Sequence, residues 1–114
     1  MSILALAAAG ISGGGGLTIP SGWADIGPGA TPQSNANVTL GGGTRTVTIT
    51  NSGSGAVDYD LDGAGFSAYV TGFSASGGQT LRWQVRSLSG NVTGTIEVLA
   101  GSVSLDTFTY DVTA

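Results

Sequence analysis

From Val38 onward, apolar and polar residues exchange places at every second position, in short runs separated by glycine-rich turns. That period belongs to half-buried β-strands, because successive side chains leave a strand on opposite faces. In Thr44–Thr50, Val47 and Ile49 share one face and threonines take the other. Val57, Tyr59 and Leu61 alternate with Asp58, Asp60 and Asp62, and Leu81, Trp83 and Val85 with Arg82, Gln84 and Arg86. Phe66 to Phe73 is a less regular strand, followed downstream by Ile96-Val98, Val103-Leu105 and Phe108-Tyr110-Val112. Asn51–Gly55 and Gly77-Gly78 read as turns, since Asn and Gly tolerate positive φ. Beyond residue 16 no segment has helical periodicity. About seven short strands, with turns every 8 to 12 residues or so, predict an all-β antiparallel sandwich over residues 38–114. Its predicted core is Val47, Ile49, Tyr59, Leu61, Phe66, Leu81, Trp83, Val85, Ile96, Val98, Phe108 and Tyr110.

Residues 1–37 have a different texture, rich in Gly, Ala, Pro and Ser, and hold all three prolines, Pro20, Pro28 and Pro32. Met1 to Ile11 is apolar, yet far shorter than the roughly 20 residues that cross a bilayer, so no membrane partner is expected. The run has the length of a signal-peptide core, and its alanines resemble a cleavage site, so residues 1–9 have an export reading. No Lys or Arg precedes the run, which weighs against that reading and predicts a retained segment. The preferred expectation is an extended arm over 1–37, hinged at Gly13–Gly16. It would contact neighbours through Ile3, Leu4, Leu6, Ile11, Leu17 and Trp23. The glycine run is not a phosphate loop, because no Lys follows it.

Across 114 residues there is no His, no Cys and no Lys, and the bases are Arg45, Arg82 and Arg86. A serine or threonine nucleophile needs a base, and neither His nor Lys is present to serve, so an enzyme is not expected. Zero cysteines exclude disulfides and thiolate metal sites. A net charge of −4 with three scattered arginines excludes a phosphate-neutralising patch, so nucleic acid is not an expected partner. Charged residues make up 9% of the chain, against roughly a quarter in typical soluble domains. Such a surface repels neighbours little and suits a subunit of an assembly, including a homo-oligomer.

The Asp58-x-Asp60-x-Asp62-Gly63 run is half of a calcium-loop pattern. The twelfth position counted from Asp58 is Tyr69, where an EF-hand has a bidentate Glu, and no helices flank the run. The simpler expectation is the solvent side of a strand, with Arg82 or Arg86 on a neighbouring strand offsetting the repulsion. Asp58, Asp60 and Asp62 remain metal-ligand candidates, and no cofactor is expected. Trp23, Trp83 and Tyr110 are the aromatics that a sugar platform would use, but single aromatics in a sandwich usually serve core or interface.

Val47–Gly53 followed by Val57–Leu61, and later Gly77–Val85 with Gly94–Val98, resemble the strand, turn, strand pattern of bacterial immunoglobulin-like modules of the Hydin-like group. Ser87-Leu88-Ser89 stands where that group usually has a proline. The resemblance implies an immunoglobulin-like sandwich for residues 38–114. Together with the apolar arm, the chain also looks like a small structural protein of a tailed-phage virion. That implies a head decoration or minor capsid subunit bound to the major capsid protein or neighbouring subunits. The alternative is a secreted or cell-surface adhesion or carbohydrate-binding module, with residues 1–9 as its export signal.

Overall fold

The computed structural model describes residues 16–114, and these build an all-β domain from two sheets that share one core. Ten strands follow in order: β1 Ile26–Ala30, β2 Gln33–Ser34, β3 Val38–Thr39, β4 Thr44–Asn51, β5 Ala56–Leu61, β6 Ser67–Ala68, β7 Phe73–Ser76, β8 Thr80–Arg86, β9 Val92–Ala100 and β10 Val103–Thr113. The first sheet has the order β1-β10-β9-β4-β7. In the second, β8 lies between β5 and the pair β2 and β3, while β6 covers the far side of β5. The arrangement is consistent with a β-sandwich.

Alternation explains the long strands. Val47 projects inward from β4, and Leu81, Trp83 and Val85 from β8. Ile96 and Val98 do so from β9, as do Phe108, Tyr110 and Val112 from β10, and all are buried. Two expected boundaries change. Val103 to Val112 is one continuous strand, because β10 stays paired with β9 across a bulge at Val98 and Leu99. The strand expected over Phe66–Phe73 splits into β6 in one sheet and β7 in the other, consistent with its irregular spacing. Phe66 leaves the predicted core and lies against the guanidinium of Arg82, 4.7 Å from its ring centroid.

The expected boundary at residue 38 is also corrected. β1 runs parallel to β10, with Ile26 beside Tyr110, and Ile26 is fully buried. Residues 33–39 then follow the edge of β8 in the other sheet. Between β2 and β3, the buried Asn35 holds this interrupted edge together. Its Oδ1 accepts the Trp83 N–H at 2.9 Å, and its own N–H donates to the Trp83 carbonyl at 3.2 Å. Residues 17–37 are therefore integral to the domain.

The Asn51–Gly55 turn is shaped by a close approach, not by positive φ. The buried Tyr110 hydroxyl donates to Asn51 Oδ1 at 2.8 Å and accepts the Gly55 N–H at 3.1 Å. A Cβ on Gly53 would collide with the Thr93 carbonyl and this hydroxyl. Only glycine lets the turn close over the tyrosine.

Candidate interaction site

On the outer face of the second sheet, the antiparallel register sets Asp60 opposite Arg82 and Asp58 opposite Gln84. Arg86 reaches Asp58 diagonally through two bonds, Nε to Oδ2 at 2.7 Å and Nη2 to Oδ1 at 3.0 Å. Gln84 donates a third, at 2.8 Å. Asp60 accepts the Gly65 N–H at 3.1 Å and faces Arg82 Nε at 3.5 Å. Arginine and glutamine stems lie along the strand and cover the carboxylates, so Asp58 and Asp60 are only 5% and 7% exposed. The expected solvated face is thus corrected to a covered ion-pair ladder. Asp62 does not join it; it is exposed, with φ 59° in the turn that leaves β5. As metal candidates, Asp58 and Asp60 have their oxygens engaged by cations and N–H donors. Among the described residues no three His, Cys, Asp or Glu converge on a metal-sized site. The hydrogen bonds and negative charge of Asp58 raise the Arg86 pKa above its ordinary value.

Leu17 and Trp23, expected at a partner interface, lie inside the domain. Leu17 is buried beside the bridge in which Thr18 and Gly41 exchange backbone hydrogen bonds at 2.9 and 2.7 Å. Trp23 meets Trp83 edge-on with centroids 6.4 Å apart, lies 6.3 Å from Phe108, and donates its indole N–H to the Leu81 carbonyl at 3.2 Å. Two carboxylates, one from β10 and one from its own segment, fix its position. Asp106 Oδ2 accepts the Trp23 backbone N–H at 2.6 Å, and Asp25 Oδ1 accepts the Thr109 N–H at 2.8 Å. The Thr109 backbone and then its hydroxyl hold the Asp25 carboxyl below its ordinary pKa. Ile3, Leu4, Leu6 and Ile11 lie outside the described residues.

The feature that sequence reasoning missed is a lateral cleft between the sheets. Its volume is about 300 Å³, and it is lined by Ile49, Asn51, Gly55, Ala56, Val57, Ala68, Tyr69 and Arg86. It exists because β7 stops short: the last β4–β7 pair is Val47 with Phe73, and Thr48–Asn51 continue beyond it. The Tyr69 hydroxyl takes the place of the missing strand and accepts the Ile49 N–H at 3.1 Å. Two exposed apolar residues flank the lining in sequence, Val70 next to Tyr69 at 85% exposure and Leu88 two residues after Arg86 at 74%. No periodicity marks such a cleft, since its walls come from strand ends. A second, more open depression of about 380 Å³ is lined by Thr50, Asn51, Ser52, Thr95, Glu97 and Thr107. Glu97 is the one carboxylate among the residues lining the two hollows, and the register sets it opposite Thr50 and Thr107. No family model matches this chain, and no curated protein is significantly similar to it.

Proposed function

We propose that this chain is a non-enzymatic structural subunit of a tailed-phage virion, a head decoration or minor capsid protein that docks on neighbouring subunits through its N-terminal residues. The single observation that carries the reading is where the domain's own core begins. Leu17 and Trp23 are already part of it, and the chain is pinned at Thr18. The apolar side chains of Ile3, Leu4, Leu6 and Ile11 therefore stand upstream of a core that the described residues fill. The docking element accordingly shortens from residues 1–37 to about 1–15. Charge chemistry supports a mechanical role, since Arg82 and Arg86 neutralise Asp60 and Asp58 within the second sheet.

The finer immunoglobulin-like reading belongs to the same proposal. The order β1-β10-β9-β4-β7, with β1 parallel to the last strand, corresponds to the sheet of a variable-type domain that holds its final strands. The other sheet departs from that layout, because β5 and β6 fall between β4 and β7 in the chain.

Deleting residues 1–15 tests the function. The expected protein melts like the parent but is lost from virions propagated with a tagged copy supplied in trans. Parent-level incorporation of the truncated chain refutes the docking role. Mass spectrometry of the native protein supplies a second test: a terminus at Met1 or Ser2 is expected, and one near Gly10 would favour export and an adhesion role.

A further inference from the structure

We infer that Glu97, on the outer face of the first sheet, seats a lysine ammonium of a neighbouring subunit that is not a copy of this chain. The inference rests on the docking reading above and names the chemistry of a second contact for it. Charge points to this face. Arg86 and Arg82 pair with Asp58 and Asp60 on the other sheet, so the net charge of −4 rests on Asp25, Asp62, Glu97, Asp106 and Asp111 against Arg45. Asp25 and Asp106 are engaged by backbone N–H groups, and Asp62 lies in the turn that leaves β5. The ion pairs among the described residues leave Glu97 without a cation. Asp111, opposite Thr93 on the same face, adds to the negative potential. Arg45 stands five residues before Thr50 on β4, about 17 Å away at roughly 3.4 Å per residue. Its guanidinium is on the Thr44 carbonyl.

The register builds the seat. β9 lies between β4 and β10, which sets Thr50 on one side of Glu97 and Thr107 on the other. Their chain neighbours Ile96, Val98 and Phe108 are buried, so alternation turns Glu97 and Thr107 outward. Directly opposed residues have Cβ atoms about 4.5–5.5 Å apart. Two hydroxyl oxygens therefore flank the carboxylate in the open depression of about 380 Å³. An ammonium is a compact charge with three donors and no acceptor, and a carboxylate between two hydroxyls offers three acceptors at one point. The methyl groups of Thr50, Thr95 and Thr107 give the lysine stem an apolar bed. The chain has no Lys of its own, and Arg82 and Arg86 are spent in the ladder, so the ammonium comes from a different protein.

Pentalysine and the purified full chain give the first test, read by titration calorimetry at low salt. Glu97→Gln should weaken binding by about fivefold, against less than about twofold for the charge-matched Asp62→Asn. Equal losses mean that only net charge is sensed, and they overturn the inference. Thr50→Val/Thr107→Val removes both hydroxyls at nearly constant shape and should weaken binding by about threefold with melting unchanged. Unaltered binding by that variant overturns the three-acceptor seat. In assembled particles, a water-soluble carbodiimide should couple Glu97 to a lysine of another protein, mapped by mass spectrometry. Coupling to copies of this chain alone overturns the inference, as does a particle in which Asp62 reacts and Glu97 does not. If deleting residues 1–15 stops incorporation while Glu97→Gln is incorporated at the parent level, the arm's docking role stands and this contact falls. If Glu97 links to a neighbour's lysine although the truncated chain is incorporated normally, the arm's role falls and this contact stands.

Discussion

Replacing Trp23 with alanine separates the two roles a tryptophan near an N-terminus can have. An interface anchor on a flexible arm can be truncated with no effect on the isolated domain. The structure instead puts this indole in the core, 5% exposed, edge-on to Trp83 and hydrogen-bonded to the Leu81 carbonyl. Truncating a buried tryptophan costs about 3–5 kcal/mol in lost transfer energy and residual cavity. At about 4–8 °C per kcal/mol for a domain of this size, a loss of about 4 kcal/mol lowers the melting temperature by about 16–32 °C. Total stabilities of small domains run from about 5 to 15 kcal/mol, so the variant would be marginal. Trp23→Phe keeps a ring but removes the N–H, and its cost should be nearer 1–2 kcal/mol, about that of the lost hydrogen bond plus imperfect filling. Circular-dichroism melting of the purified chain measures both. A Trp23→Ala protein that melts within about 5 °C of the parent refutes the assignment of residues 17–37 to the domain.

Tyr110→Phe strands the buried Gly55 N–H and should destabilise by about 1–3 kcal/mol in urea titrations with an unchanged m-value. Asp58→Asn removes the partner of Arg86 and Gln84. Because the Arg86 side chain is 41% exposed, solvent softens the loss to about 1–2 kcal/mol, while Asp62→Asn should stay within about 0.5 kcal/mol. The pH dependence has a defined sign at Asp25, whose carboxyl is held below its ordinary pKa in the folded chain. Its contribution is complete above the unfolded value near 3.9 and disappears as pH falls through the folded one. Any difference in melting temperature between Asp25→Asn and the parent at pH 7 should therefore shrink below about pH 4, and a constant difference down to pH 2 contradicts this. The raised pKa of Arg86 acts in the opposite sense: its stabilisation is present below the ordinary arginine range and lost only as pH climbs through the still higher folded value.

Strands long enough to show their period could be read directly. Val47, Leu81, Trp83, Val85, Ile96, Val98, Phe108 and Tyr110 were expected inside from alternation and are buried. Ile49, Tyr59 and Leu61 pack against the core but keep some exposure, being near strand ends or the lateral opening. Val38 was hidden because β2 and β3 span two residues each, too short to express alternation, and a side chain, Asn35, bridges the gap between them. Ile26 was hidden because its partner strand lies at the other end of the chain. For the acidic run, period and register were legible, including the possibility of arginines opposite. The covering of Asp58 and Asp60 was not, since it depends on which rotamers Gln84 and Arg86 adopt over their neighbours. The lateral cleft arises from where β7 stops, which depends on the crossing of residues 69–72 between the sheets.

Ile26 pairs with Tyr110, and Asp25 with Thr109, 84 residues further along, so β1 waits for β10 to be made. Until β10 has been made, Trp23 and Ile26 lack their partners Phe108 and Tyr110 and remain available to chaperones or to aggregation. Contacts of such wide sequence separation also slow the final search. A single chain break that removes β10 should therefore cost the whole domain, and not merely its last strand.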